Sequence, residues 1–159
     1  MSTGPPKRWH TREDSGIRLD RQGRWWHDDE PIEHPKIIEA FNTGLSPTED
    51  GRFRLQFGND WCYVKVEDAA YSVLGIDFSS GEPRLSLSDR TTEALDPLSL
   101  QVDPEGVLTC RVKQGRAKAR FSRDAQFALG DRLERRGDQM ILRLGGKEVA
   151  LRMPSIPNV

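Results

Sequence analysis

Two stretches of the chain repeat one another at a distance of about 55 residues, and this internal similarity limits the possible folds more than any single motif does. The spacing is 55 between Gly51 and Gly106 and 56 between Asp68 and Asp124, so one inserted residue reconciles the two copies, and residues 68–73 match residues 124–129. Before those segments, apolar and polar residues alternate as in strands with one buried face. Self-similarity of this kind indicates a duplicated unit. The sequence therefore predicts two related β units.

Composition places the chain among soluble globular proteins of one domain or two small ones, since 35% of its 159 residues are hydrophobic and 31% are charged. No apolar run reaches the roughly 20 residues that cross a bilayer, and no signal peptide opens the sequence. We expect a cytoplasmic protein without a membrane span, and we leave its oligomeric state open. Cys62 and Cys110 fall on the apolar phase of alternating segments, which predicts buried free thiols.

Turn signals and periodicity divide the chain into four parts. Residues 1–15 are predicted to be a flexible tail, 16–97 a first repeat unit with a small hairpin and a helix, 98–154 a second repeat unit, and 155–159 a short tail. Pro35 suits the first turn of the helix, and Gly44 suits a left-handed C-terminal end. Later turns follow at short intervals, which favours meanders. The predicted fold class is α+β, mainly antiparallel β, with two repeated β units and one N-terminal helix.

Charge is distributed unevenly along the chain. Residues 1–103 carry a net charge of −7 and residues 104–159 a net charge of +6, which nearly cancel. Opposed charges of this size allow two interpretations: the halves attract each other, or the basic half binds an anionic partner.

The basic residues concentrate on one face of a predicted hairpin in the second repeat. When its apolar residues face inward, the opposite face carries five cations: Arg111, Lys113, Arg116, Lys118 and Arg120. Like charges across a strand pair are destabilising by about 0.2–1 kcal/mol per pair, so the arrangement requires an explanation. Three are open: screening by solvent, docking against the acidic first half, or a bound anion such as phosphate.

The corresponding face of the first repeat combines aromatic and basic side chains. It carries Trp61 and Tyr63 together with Arg52, Arg54, Lys65 and Glu67. Aromatic rings beside cations can stack on a planar ligand while the cations pair with its phosphates. In the alternative interpretation, Trp61 and Tyr63 lie under the N-terminal helix or the other repeat. If the two faces share a groove, we expect an anionic-ligand cleft there.

Recognised catalytic and metal-binding patterns are absent from the sequence. His10, His27 and His34 have neither a cysteine pair nor a His-x-x-x-His spacing, so no metal site is predicted, and residues 27–30 suggest a polar turn. The sequence also lacks a nucleophile elbow, a Walker loop and a dinucleotide-binding glycine motif. We therefore assign no catalytic residue and expect no cofactor.

Several segments together resemble the bacterial domain-of-unknown-function 1285 family. They are residues 19–25 (LDRQGRW), 30–32, the helix ending at Phe41, 50–53, and 64–71 with its Val-Glu-Asp-Ala-Ala-Tyr run. The similarity spans residues 17–153. It implies a duplicated, mostly antiparallel fold whose second half is similar in outline to pleckstrin-homology-like barrels. It also implies a small, nucleotide-like ligand between the halves and a signalling context, with no established reaction.

These observations favour a non-enzymatic binding protein that takes an anionic small molecule or a partner segment between its two halves. The predicted contacts are Trp61 and Tyr63 for stacking and Arg116, Lys118 and Arg120 for charge. One alternative is a hydrolase with a carboxylate such as Asp68 as general base. The other is a weak nucleic-acid binder that uses the basic second half, which we do not expect.

Overall fold

The structure, a computed structural model, describes residues 10–151. The chain forms two compact units that divide between Glu67 and Asp68, and we call their described parts the N-terminal unit (10–67) and the C-terminal unit (68–151). The sequence repeat placed the division at 97/98. The structural boundary lies earlier because the second sheet begins with a strand at Tyr71, shortly after the last strand of the first sheet ends at Val66. Most of the predicted first tail and all of the second lie outside the described residues.

Six strands form the sheet of the N-terminal unit in the order β3-β2-β1-β6-β5-β4. Two antiparallel three-stranded meanders meet where β1 runs parallel to β6, with Leu19 opposite Val66. A helix connects the meanders. The elements are β1 (Ile17–Leu19), β2 (Trp25–His27), β3 (Glu30–Pro31), α1 (Pro35–Gly44), β4 (Leu45–Pro47), β5 (Phe53–Phe57) and β6 (Asp60–Val66).

The C-terminal unit repeats this topology in a second six-stranded sheet of order β10-β11-β12-β7-β8-β9. Two antiparallel meanders again meet at a parallel pair, here β7 and β12, with Tyr71 opposite Ala119. A single 3-10 turn, Pro97–Ser99, stands where α1 stands in the first unit. The strands are β7 (Tyr71–Asp77), β8 (Arg84–Leu87), β9 (Thr92–Ala94), β10 (Gln101–Val102), β11 (Leu108–Val112) and β12 (Ala117–Phe121). The prediction of two repeated, mainly antiparallel β units is confirmed.

The sequence repeat corresponds to this structural repeat over only part of its length. Gly51 and Gly106 both have a left-handed backbone, with φ of 87° and 84°, and precede the equivalent strands β5 and β11. Residues 68–73 and 124–129, which are similar in sequence, do not have the same structure, so this part of the predicted repeat is wrong. The first segment leads into β7, whereas the second lies in a helix that the sequence analysis missed, α2 (Arg123–Gly130).

Helix α2 has its own local signals. The Ser122 hydroxyl caps the helix by accepting a hydrogen bond from the backbone N–H of Ala125 at 3.2 Å. Ala125 and Leu129, spaced i and i+4, are buried. Tyr71 is 2% exposed in β7, while Phe127, its partner in the sequence repeat, is 80% exposed on α2. Similar residues therefore lead into a buried strand at 68–73 and form a helix at 124–129.

A third, three-stranded antiparallel sheet completes the C-terminal unit. It consists of β13 (Leu133–Arg136), β14 (Gln139–Leu144) and β15 (Lys147–Ala150). Leu142 is buried, and Arg136 forms ion pairs with Glu134 and Glu148 across the exposed face. This sheet has no counterpart among the described residues of the N-terminal unit.

Side chains alternate between the two faces of each hairpin as predicted. Cys110 lies opposite Ala119 and both are buried, whereas Arg111 lies opposite Lys118 on the other face. Both cysteines are buried free thiols, in agreement with the prediction. Burial raises the pKa of the Cys110 thiol to about 12, and it also raises the pKa of Cys62.

Helix α1 begins where the sequence predicted, but it ends differently. His34 accepts a hydrogen bond from the backbone N–H of Lys36 at 3.2 Å, and Pro35 opens the helix. Gly44 does not take a left-handed conformation. A Cβ atom at Gly44 would lie 2.0 Å from the backbone oxygen of Gln56, so glycine is required for the close approach of the helix to β5.

The two helices of the described region have ten and eight residues, and neither is long and apolar enough to cross a membrane.

Candidate functional site

A cavity of about 570 Å³ lies within the N-terminal unit, between α1, the β1–β2 hairpin and the β5–β6 hairpin. Most of the wall surface is apolar, although six of its thirteen lining residues are polar. The apolar part of the wall includes Ile17, Ile32, Ile37, Phe41, Phe57 and Trp61, and the polar part includes His10, Arg12, His27 and Asp60. Volume and lining are typical of a small-molecule site.

The cavity exists because α1 is fixed to the sheet mainly near its C-terminal end. There the indole N–H of the buried Trp25 donates a hydrogen bond to the Asn42 side chain at 2.8 Å, and Gly44 allows contact with β5. Phe41 packs edge-on against Trp25, with ring centroids 5.3 Å apart. Toward the other end, Ile37 is 43% exposed, and no residue of α1 is buried. The apolar side of this amphipathic helix thus remains accessible beside the cavity.

Residues 10–15, predicted as part of a flexible tail, lie along β6. The backbone N–H of Tyr63 donates to the carbonyl oxygen of Arg12 at 2.8 Å, and the Ser15 hydroxyl donates to the carbonyl oxygen of Tyr63 at 2.7 Å. These hydrogen bonds continue the direction of β1 along the same edge of β6. They bring the side chains of His10 and Arg12 to the cavity.

The predicted aromatic and basic face is present on β5 and β6. Trp61 and Tyr63 are half-buried and contact each other edge to face at 5.3 Å between centroids. The guanidinium groups of Arg12 and Arg54 lie 4.7 and 4.5 Å from the Trp61 ring centroid, and that of Arg52 lies 3.7 Å from the Tyr63 ring centroid. The aromatic rings are therefore stacked with cations of their own unit.

The charges around these rings differ in how they are compensated. Arg52 forms ion pairs with Asp50 and Glu13, and its hydrogen bond holds the pKa of the Asp50 carboxyl well below the ordinary value. Arg12 lies 3.5 Å from Asp60 and keeps more than half of its side chain exposed. The buried Nε of Arg54 has no hydrogen-bond partner among residues 10–151. Trp61 lines the cavity described above, whereas Tyr63 lines a second cavity of about 540 Å³ with a polar wall that mixes both charges.

The basic face of the β11–β12 hairpin has counter-charges within the C-terminal unit. Lys118 Nζ lies 2.8 Å from Asp68 Oδ1, and Arg120 lies 4.0 Å from Glu105. Arg111 and Arg116 form no ion pair within residues 10–151, and Arg116 is exposed in the turn. Acidic groups of the same unit thus offset part of the repulsion, which is a fourth explanation beside the three drawn from the sequence.

Lys113 belongs to the most buried of these ion pairs. Its Nζ lies 2.5 Å from Asp89 Oδ2, and Asp89 also accepts hydrogen bonds from the backbone N–H and hydroxyl of Thr91. Burial raises the pKa of Asp89, but the hydrogen bonds from Lys113 and Thr91 outweigh this effect and bring the pKa below its ordinary value. The pair fixes the turn of the basic hairpin to β8 and β9.

The five residues predicted to bind a ligand belong to two units. Trp61 and Tyr63 lie in the N-terminal unit, and Arg116, Lys118 and Arg120 lie in the C-terminal unit. That they form one anionic-ligand cleft stays a prediction.

Asp68, the carboxylate of the hydrolase alternative, is partly buried and ion-paired with Lys118. Asp124, its counterpart in the sequence repeat, lies in the first turn of α2.

Folding brings together one group of side chains that the sequence did not connect. His10 Nε2 lies 2.8 Å from Asp28 Oδ2, His27 Nε2 lies 3.8 Å from the same oxygen, and the histidine ring centroids are 4.9 Å apart. The third histidine, His34, caps α1 instead. No sequence spacing marks the group, because the position of His10 beside the turn after β2 depends on the hydrogen bonds between residues 10–15 and β6.

Fold and site together define a mainly β protein with two sheets of one topology and a ligand-sized apolar cavity in its N-terminal unit. Residues 4–69 match the family model described as the N-terminal domain of the domain of unknown function DUF1285, which confirms the family resemblance noted from the sequence.

Two solved structures are similar to the chain, and both are of DUF1285 family proteins. One, from Silicibacter pomeroyi DSS-3, has a TM-score of 0.63 and 20% identity over 86% of this chain and 79% of that one. The other, from Shewanella baltica OS155, has a TM-score of 0.56 and 15% identity over 74% of this chain and 91% of that one. At these identities the likeness establishes the fold. No curated protein matches the sequence.

Proposed function

We propose that this protein is a non-enzymatic binding protein for a small, largely apolar molecule with an anionic group, and that the cavity of the N-terminal unit is its binding site. The observation that carries the proposal is the apolar cavity of about 570 Å³ beside an amphipathic helix none of whose residues is buried. A helix packed on a sheet ordinarily buries its apolar stripe. An apolar ligand would cover Ile37 and Phe41 and remove that surface from water.

The anionic group is inferred from the charges at the cavity wall. Arg12 lines the cavity, stacks on Trp61 and keeps much of its side chain accessible, while its acidic neighbour Asp60 is 3.5 Å away and mostly exposed. A guanidinium can offer two parallel N–H donors to a carboxylate, sulfonate or phosphate. The Trp61 ring in the same wall favours an aromatic or planar group beside the anion. A nucleotide-like ligand, as implied by the family resemblance, would supply the planar and anionic groups but not the apolar remainder, and ligand binding would be the input of a signalling role.

The test uses two fluorescent probes that differ in charge. 1-Anilinonaphthalene-8-sulfonate carries a sulfonate, and N-phenyl-1-naphthylamine has the same aromatic frame without it. We expect one saturable site per chain for each probe. Ile37→Trp, which adds volume at the cavity wall, should weaken both probes at least tenfold. Arg12→Met should weaken the anionic probe about tenfold or more, since a hydrogen bond to a charged group contributes about 1.5–3 kcal/mol, and leave the neutral probe unchanged.

A matched control is available in the C-terminal unit. Phe127 is a large exposed aromatic residue, and Phe127→Ala should not change the affinity of either probe. If Ile37→Trp binds both probes as the wild type does, the cavity is not the site. If Arg12→Met weakens both probes equally, the anionic part of the proposal is wrong. Calorimetric titration with nucleoside monophosphates and phosphorylated metabolites then tests the nucleotide-like class, which is excluded if no heat is seen at millimolar concentration.

A further inference from the structure

We propose that His10, His27 and Asp28 form a binding site for a divalent transition-metal ion of the Zn²⁺ type. The ligand atoms of the three side chains all lie within 4.8 Å of one another. Two imidazoles and one carboxylate are a donor set that suits Zn²⁺ and neighbouring first-row metals. The site adjoins the proposed ligand cavity, since His10 and His27 also line that cavity.

The distances within the cluster are close to those around a bound ion. Bonds of about 2.0–2.2 Å place the ligand atoms of a tetrahedral zinc about 3.3–3.5 Å apart. The separations from Asp28 Oδ2 are 2.8 Å to His10 Nε2 and 3.8 Å to His27 Nε2, on either side of that value. All three side chains are partly exposed, so small rotations about their χ angles suffice to bring the donors to a common centre.

The backbone around the cluster is adapted to bring these groups together. Gly16 has φ of 73°, and a Cβ atom there would lie 2.2 Å from Asp28 Oδ1 and 2.9 Å from His10 Cε1. Asp28 and Asp29 also have left-handed backbones, with φ of 49° and 66°, as a two-residue hairpin turn between His27 and Glu30 requires. The Asp28 N–H donates to the Gly16 carbonyl oxygen at 2.9 Å and keeps the two segments together.

A purely structural role explains only part of the arrangement. The hydrogen bond between His10 and Asp28 could serve simply to attach residues 10–15 to the turn after β2. The His27 side chain makes no hydrogen bond within the described residues, yet its Nε2 lies 3.8 Å from the same carboxylate oxygen. A metal ion accounts for both histidines. Three protein donors would also leave at least one coordination position for water or a ligand.

Titration of the untagged, metal-free full chain with Co²⁺ and Zn²⁺ tests the proposal. We expect one high-affinity ion per chain, visible absorption bands of histidine-coordinated Co²⁺, and displacement of Co²⁺ by Zn²⁺. Affinity should fall at least tenfold in each of His10→Gln, His27→Gln and Asp28→Asn. Asn tolerates the left-handed backbone at position 28, so the last variant keeps the turn.

His34→Asn is the matched control, because His34 lies outside the cluster and Asn can still cap α1. It should bind Zn²⁺ with wild-type affinity. Absence of stoichiometric binding overturns the proposal, and so does wild-type affinity in His27→Gln or an equal loss in His34→Asn. Circular dichroism shows which variants are folded, and His27→Gln is the decisive one because no hydrogen bond of the fold depends on that side chain. These titrations contain no cavity ligand, so their outcome is separate from that of the probe experiments.

Discussion

Replacement of Lys113 by Met tests whether the basic hairpin is held by acidic groups of its own unit. The substitution preserves the length of the side chain and removes the charge that faces Asp89. The Asp89 side chain is 6% exposed and that of Lys113 is 22% exposed, so the carboxylate would remain buried without its cation. Breaking a buried ion pair in this way costs 3–5 kcal/mol. We expect about 3 kcal/mol, at the low end of that range, because Asp89 keeps its hydrogen bonds from Thr91.

The pH dependence of this loss follows from the pKa of Asp89. The folded-state pKa of Asp89 is lowered, so its charged form stabilises the wild type above the unfolded value of about 3.9, and this contribution is lost as pH falls. Without Lys113, its hydrogen bond and charge no longer lower the pKa of Asp89, so burial favours the protonated acid more than in the wild type. The stability difference between wild type and Lys113→Met should therefore be largest near neutral pH and shrink as pH is lowered.

The assay must report on the C-terminal unit, because every tryptophan lies before residue 68 and Trp fluorescence follows the other unit. Hydrogen exchange of the β11 and β12 amides, together with urea unfolding followed by circular dichroism, gives the required free energies. Arg116→Met is the control, since Arg116 is exposed and unpaired within residues 10–151, and should change stability by less than about 0.5 kcal/mol. Equal effects of Lys113→Met and Arg116→Met would refute the ion-pair argument and favour solvent screening or a bound anion.

Three further predictions concern other parts of the molecule. Burial raises the pKa of Asp20, but hydrogen bonds from Trp26 and from the backbone outweigh burial and lower the pKa. Asp20→Asn should therefore destabilise the protein above about pH 4, and the destabilisation should disappear as pH falls further. Urea unfolding at a series of pH values measures this. Gly44→Ala should destabilise the N-terminal unit by about 1–3 kcal/mol in thermal or urea unfolding, because the added Cβ atom would overlap the Gln56 backbone oxygen. Alanine favours helices more than glycine does, so an increase in stability would contradict this close approach. Cys110 should not react with Ellman's reagent in the native protein, because its pKa is raised to about 12 and it is buried, and should react once the chain is unfolded in urea.

Much of the sheet architecture could be predicted because it depends on local alternation. The buried and exposed faces of β5, β6, β11 and β12 follow directly from period-2 patterns, and the left-handed Gly51 and Gly106 follow from the turns before them. The start of α1 was likewise indicated by Pro35 and the apolar spacing after it. The predicted equivalence of residues 68–73 and 124–129 was wrong because similar residues do not specify which strand or helix a segment packs against. The signal for α2 was present in Ser122 and the i, i+4 pair that follows.

The candidate sites were harder to anticipate than the strands. Trp61 and its cations were predicted from one hairpin, but the cavity also requires α1 and the segment around Arg12, which come from other parts of the sequence. The histidine and aspartate cluster depends on residues 10–15 lying along β6. Distances between such segments are properties of the topology, and no local pattern encodes them.

By itself the sequence determined that this chain has two β units with apolar and charged faces, buried thiols and one N-terminal amphipathic helix. Tertiary structure alone decided that residues 71–77 form a strand, since they pair in parallel with β12. Residues 123–130 carry local helix signals, but only the tertiary structure shows that this helix contacts β7 and β12. It also decided where α1 leaves a cavity and where His10 meets Asp28. The physical reason is that alternation and capping act between near neighbours in the chain. Strand pairing, cavity walls and side-chain clusters require contacts between distant residues, and these exist only in the folded molecule.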